Sequence, residues 1–213
     1  MSHAERDTPE PTTGSETVPA AVAVRKRPKP GERRVQILQA LATMLEQPGA
    51  ERITTAALAA RLEVSEAALY RHFASKAQMF EGLIEFIEQS VFTLINQIAE
   101  REQEGPTQAA RIVSMLISFA EKNPGMTRVM VGDALVFENE RLQQRMNQFF
   151  DKVEASLKQC LRVGGDTPAP TVDAQVRASV LTAFIVGRLQ RFARSGFKRL
   201  PSEHLDASLS RML

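Results

Sequence analysis

Cysteine occurs once in these 213 residues, tryptophan not at all, and tyrosine once against eleven phenylalanines. A lone thiol at Cys160 allows no disulfide within the chain, which fits a reducing compartment. No stretch approaches the roughly 18 uninterrupted apolar residues that a membrane-spanning helix requires. The first residues are polar and proline-rich, without the apolar core of a secretory signal, so a cytoplasmic protein is expected. Runs of alternating β-branched residues, the mark of half-buried strands, are missing too. Ala, Leu, Glu, Gln and Arg dominate from residue 32 onward, and the expected fold class is all-α.

The chemistry of catalysis is equally scarce. The three histidines, His3, His72 and His204, are scattered, so no metal site is expected. There is no glycine-rich phosphate loop and no nucleophile–base arrangement, so neither an enzyme nor a cofactor is expected. Glu138 and Glu140 flank a helix start and read as favourable dipole charges rather than a catalytic pair. Cys160 lies on an amphipathic helix, where packing is the plain explanation.

What is present is an uneven charge distribution. The net charge of +2 divides into −3 for residues 1–24 and +5 for residues 25–80, where ten Lys or Arg face five acids; the rest balances. A basic block beside a neutral body points to a polyanion partner for one region only. Residues 1–31 are rich in Pro, Thr, Glu and Ala and end in RKRPKPG, which reads as a disordered arm with a basic end. That end either tracks phosphates or a minor groove, or is a solvated linker.

Apolar spacing predicts a helix over 32–46 on Val35, Leu38, Leu41, Ala42 and Leu45. A second helix is capped by Thr54 or Thr55 and carries Leu58 and Leu62; a third runs from Ser65 to near His72. A long fourth starts at Ser75 with Met79, Phe80, Leu83, Ile84, Ile87, Val91, Leu94, Ile95 and Ile98 as one stripe. After a Gly-Pro break at 105–106, helices are expected at 107–122, 125–138, 139–162 and 172–194, with a loop at 164–170 and a short helix at 203–212. The domains expected are the arm, a DNA-binding unit at 32–80, and a helical dimerisation and partner-binding unit at 81–213.

Residues 54–73 thus give helix, tight turn, helix. Leu69 and Phe73 are four apart and must face inward with Leu58 and Leu62. Ala67, Tyr70 and Arg71 are left outside, with Ser65 and Glu66 at the exposed start. Small side chains let a helix enter a major groove closely, and the polar tips reach base edges or phosphates. Next comes a lysine where a helix favours an acid. Ser75 and Gln78 form a capping box, which makes Lys76 the first helical residue. A cation there opposes the dipole at a cost of roughly 0.3–1 kcal/mol. Free backbone N–H groups at the same spot attract phosphate, so a bound phosphate would account for the lysine. Thr54 and Thr55 can offer similar contacts one helix earlier. The plain alternative is a solvated lysine, and a lone helix–turn–helix pattern is weakly specific.

The stretch ITTAALAARLEVSEAALYRHFASKAQMF, residues 53–80, resembles the N-terminal domain of the TetR family of DNA-binding regulators, with Tyr-x-His-Phe followed by Ser-Lys as the most specific element. NPGMTRVMVGDAL, FENERLQQRMNQFF and RFARSGFKRLP extend the similarity over about residues 33–210, toward that family's nucleoid occlusion branch. The resemblance implies a homodimer on palindromic double-stranded DNA, one dimer or two per site, associated with the nucleoid. It implies antagonism of FtsZ, the tubulin-like division protein, so that the septum does not close over the nucleoid. It places Ser65, Glu66, Ala67, Ala68 and Arg71 at the major groove, and Thr54, Tyr70, His72 and Lys76 near phosphates. It implies a four-helix dimer interface from the 139–162 and 172–194 helices, with Ala178, Ala183 and Gly187 allowing close approach. It also implies a groove for the FtsZ C-terminal tail near Phe86 and Ser90 on one side and Met115, Lys122 and Asn123 on the other. Lys122 stands where an arginine is expected, and a lysine cannot fork onto a carboxylate. The competing reading is a small-molecule-responsive repressor, with a closed apolar pocket lined by Met115, Phe119, Phe149 and Phe184.

Overall fold

In a computed structural model, residues 31–47, 53–162 and 170–213 are described. The arm with its RKRPKP end, and the expected 164–170 loop apart from Pro170, lie outside them. The regular elements of the described residues are all helical. They run α1 (Glu32–Leu45), α2 (Thr55–Arg61), α3 (Glu66–Tyr70), α4 (Lys76–Arg101), α5 (Gly105–Lys122), α6 (Pro124–Met130), α7 (Glu140–Arg162), α8 (Pro170–Arg194) and α9 (Leu205–Met212).

Local chemistry sets most boundaries. Thr54, Ser65 and Ser75 each accept a hydrogen bond from the backbone N–H three residues on, at 3.1, 3.3 and 3.2 Å. Each therefore satisfies one orphan donor at a helix start. The Ser75 cap differs from the expected box in one respect: the Gln78 side chain accepts from Ala74 N–H rather than from Ser75. Glu104 caps α5 by accepting from Thr107 N–H, so α5 starts two residues earlier than expected.

Three expectations need correction. The helix expected at 125–138 ends at Met130, because Gly132 takes φ +84 and turns the chain; a 3-10 turn at Asp133–Leu135 follows. In α1, Ile37 is the buried residue and Val35 is exposed. In α4, Leu94 leaves the buried stripe and faces outward.

α1, α2 and α3 enclose Ile37, Leu41, Leu45, Leu58, Leu69 and Phe73 together with Met79, Phe80 and Leu83 from α4. α4 then continues without a break past residue 80 into the second half, where it packs with α5 and α7. α6 is the joint between the halves. Its Gly125 lies so close to α1 that an added Cβ would overlap the Ala42 carbonyl oxygen. α7 and α8 lie against each other as the broadest helix pair. Phe149 is fully buried, edge-on to Phe92 and Phe150 with ring centres 5.6 and 5.1 Å apart. Burial pushes the Cys160 thiol up from its ordinary pKa.

Candidate nucleic-acid interface

α3 is short, and its inward side is set by Leu69 and the following Phe73, both buried. Ser65, Glu66, Ala67, Tyr70 and Arg71 are exposed, while Ala68 is half-buried. Two of these side chains are tied back to α2. Thr55 donates to Glu66 Oε2 at 2.5 Å, and the Tyr70 hydroxyl stands 3.5 Å from Thr55 Oγ1. These contacts brace α3 on α2 and orient Glu66 and Tyr70. Arg71, at the end of α3, has no ion-pair partner among the described residues, so its guanidinium is available to a base edge or phosphate. The His72 side chain is half-buried, and its carbonyl accepts from Arg34, whose guanidinium lies 4.1 Å from the centre of the Phe73 ring. Arg34 thereby clamps α1 to the end of α3, an arrangement that sequence periodicity does not reveal.

Lys76 has a partner that the sequence did not suggest. Its Nζ lies 2.5 Å from Glu138 Oε1, in the segment just before α7. Glu138, read from sequence as a dipole charge, is instead the counter-ion of the lysine. Two more ion pairs follow along the same helices, Glu81 with Arg141 and Glu88 with Arg145 at 2.6 Å. The hydrogen bond to Glu88 raises the Arg145 pKa above its ordinary value despite burial. Lys76 sits at the lower end of this ladder with its side chain 27% exposed. The same lysine therefore faces both the α4 N-terminus and the second half of the chain.

The face opposite belongs to α4 and α5. Phe86 is 47% exposed, Ser90 is half-buried and Leu94 is exposed, at successive four-residue steps along α4. α5, which packs on α4, carries Met115 and Phe119, both half-buried, and the exposed Lys122. The Asn123 side chain donates to the Phe119 carbonyl at 2.7 Å, so it serves first as the end cap of α5.

Known proteins match the chain over both halves. Residues 37–83 fit the model of tetR-family bacterial regulatory proteins, and residues 104–212 fit the SlmA-like, tetracyclin repressor-like C-terminal domain. The nucleoid occlusion factor SlmA of Idiomarina loihiensis is 52% identical over 177 residues, covering 82% of this chain and 90% of the relative. That of Vibrio cholerae is 52% identical over 180 residues, with the same coverage. This chain belongs to the SlmA family. Among solved structures, a TetR regulator from Legionella pneumophila superposes with TM-score 0.69 at 13% identity, covering 89% of this chain and all of that one. The regulator FadR from Bacillus subtilis, solved with stearoyl-CoA, gives 0.66 at 14% identity, covering 84% of this chain and 96% of that one. These two likenesses establish the shared TetR fold.

Within the SlmA family frame, the outer face of α8 acquires meaning. Val172, Val176 and Val180 are 64, 57 and 50% exposed, Ala183 is exposed, and an added Cβ at Gly187 would meet nothing within 4 Å. This is an apolar stripe without a partner in the monomer. Ala178, expected on it, is instead fully buried with Ala174, Leu181 and Ile185 on the inner face.

Proposed function

We propose that this protein is a nucleoid occlusion factor: a homodimer that binds palindromic chromosomal DNA through α2–α4 and, while bound, inhibits assembly of FtsZ. The match to SlmA factors over four-fifths of the chain carries this reading. The geometry supports each part. α3 presents Ser65, Ala67 and Arg71 to a major groove, with Glu66 and Tyr70 held by Thr55. Thr54, His72 and Lys76 lie on the helix ends around it, where backbone phosphates would run. α8 offers the Val172–Val176–Val180 stripe to a second copy, and a dimer presents two recognition helices to two half-sites.

The FtsZ tail is assigned to the surface between α4 and α5, with Phe86 as the apolar anchor and Lys122 as a cation for a carboxylate. Ser90, Met115 and Asn123 complete it. Aromatic side chains, Phe among them, are enriched at the core of protein interfaces. Of the residues expected to line a repressor's ligand pocket, Phe149 is sealed between Phe92 and Phe150, which favours the division-inhibitor reading. The test is sedimentation of FtsZ polymers with GTP, in the presence of the protein alone, a duplex alone, and both. The reading requires that both together reduce the pellet more than either alone; an unchanged pellet would move the function to transcriptional repression.

A further inference from the structure

The neutral charge of the second half conceals a concentrated cluster. From Ala174 to Ser202 the chain carries Arg177, Arg188, Arg191, Arg194, Lys198 and Arg199 and not one acid. That is a net +6, against +5 for the whole basic block of residues 25–80. Five of the six fall on the last two turns of α8 and the hairpin that leads to α9. Helix-dipole complementation accounts for Arg191 and Arg194, which lie in the last turn. It does not account for Lys198 and Arg199, which lie beyond the helix.

The hairpin is held firmly. Arg188 donates to the Glu203 carbonyl at 2.6 Å and to Ser208 Oγ at 3.1 Å. Ser195 Oγ accepts from Arg199 N–H at 2.9 Å. Phe197 takes φ +65, an unfavourable backbone for a bulky residue, and is kept there by edge-on packing on Phe192 at 5.1 Å and by the Arg128 guanidinium at 5.3 Å. Arg191, Arg194, Lys198 and Arg199 are all exposed, and none has an ion-pair partner among the described residues.

Position indicates the partner. Arg128 belongs to α6, the helix whose Gly125 touches α1. The hairpin is therefore anchored to the same end of the molecule as the DNA-binding helices. Arg191 also lies one turn beyond Gly187 on the outer α8 stripe, so a dimer joined there would bring two clusters together at that end. The cluster holds one exposed large apolar side chain, Leu200, against four unpaired cations. A protein interface centres on an apolar core with aromatic or Arg anchors packed into it, whereas a phosphate backbone is held by exposed cations alone.

We propose that the α8–α9 hairpin is a second, sequence-independent contact surface for the backbone of duplex DNA. The phosphates it meets lie apart from those of α2–α4, and they add affinity without adding base preference. The inference rests on the DNA-binding half of the proposed function and not on the FtsZ half.

The experiment is DNA binding by fluorescence anisotropy across a salt series, comparing the full chain with Lys198→Gln/Arg199→Gln. Two probes are used, a duplex of random sequence and a palindromic duplex selected by the protein itself. The slope of log K against log salt should become shallower by about one unit for each phosphate that is no longer neutralised, on both duplexes. The ratio of the two affinities should stay the same. A dimeric variant with an unchanged slope overturns the proposal. So does an unchanged slope with weakened binding of an FtsZ tail peptide, which would give the surface to a protein partner. Lys76→Ala serves as the control for the helix–turn–helix phosphates: if it too leaves the slope unchanged, the proposed DNA interface fails as a whole. Should the double variant dissociate to monomers, Arg199→Gln alone gives the same readout.

Discussion

Arg71 and Lys76 are both cations at helix ends in the DNA-binding half, yet their surroundings give them different duties. Arg71 is exposed and unpaired among the described residues, so a forked contact to a guanine is open to it. Arg71→Ala should cost roughly 1–3 kcal/mol on the preferred duplex and flatten preference among duplexes, measured by competition binding. Lys76 is shared. Its 2.5 Å pair with Glu138 must loosen if the ammonium turns to a phosphate. Glu138→Gln removes the competitor and should tighten DNA binding at low salt, while Lys76→Ala should weaken it and lower the salt slope by about one unit per phosphate released. Equal affinities for the Glu138→Gln variant and the parent would mean that Lys76 serves structure only. The buried Cys160 thiol, with its pKa pushed up, should resist alkylation near neutral pH until the chain is unfolded.

Among the elements, α6 and α8 carry the sharpest expectations. Gly125→Ala places a Cβ against the Ala42 carbonyl, which cannot yield without moving α1 from α6. A destabilisation of about 1–3 kcal/mol in chemical denaturation is expected. On α8, Val176→Glu with Val180→Glu puts charges on the exposed stripe and should shift sedimentation from dimer to monomer, leaving helix content unchanged. The long stripe of α4 was legible in the sequence, because seven buried residues recur at helical spacing. Thr54 and Thr55 were both open as the cap of α2 until packing tied Thr55 to Glu66. The Ser75 cap, which is local chemistry, and the start of the third helix at Ser65 were legible. The break after Met130 was not, since the apolar pattern continues through Ala134 and Leu135 while a left-handed Gly132 turns the backbone. Ala178 was misassigned for a related reason: small residues fit either face of a helix, and only packing chose the inner one.

At the scale of the whole molecule, three ion pairs fasten α4 to the start of α7, and the lowest of them involves the lysine proposed to meet DNA. That pair joins residues 62 apart in sequence, a relation no periodicity can encode. The Arg34 clamp on the His72 carbonyl is hidden in the same way. By contrast, the family resemblance was legible from one end of the second half to the other, since it resides in contiguous motifs. One dimer would then carry surfaces for both partners: α2–α4 and the α8–α9 hairpin for DNA, and the α4–α5 face around Phe86 and Lys122 for the division protein. The most direct test of that pairing is a titration of a fluorescent FtsZ C-terminal tail peptide with the purified protein, with and without duplex DNA. Saturable binding that tightens with DNA, and disappears in Phe86→Ala and Lys122→Ala, is the predicted result. A protein that holds its DNA firmly yet shows no peptide binding in either condition would contradict it.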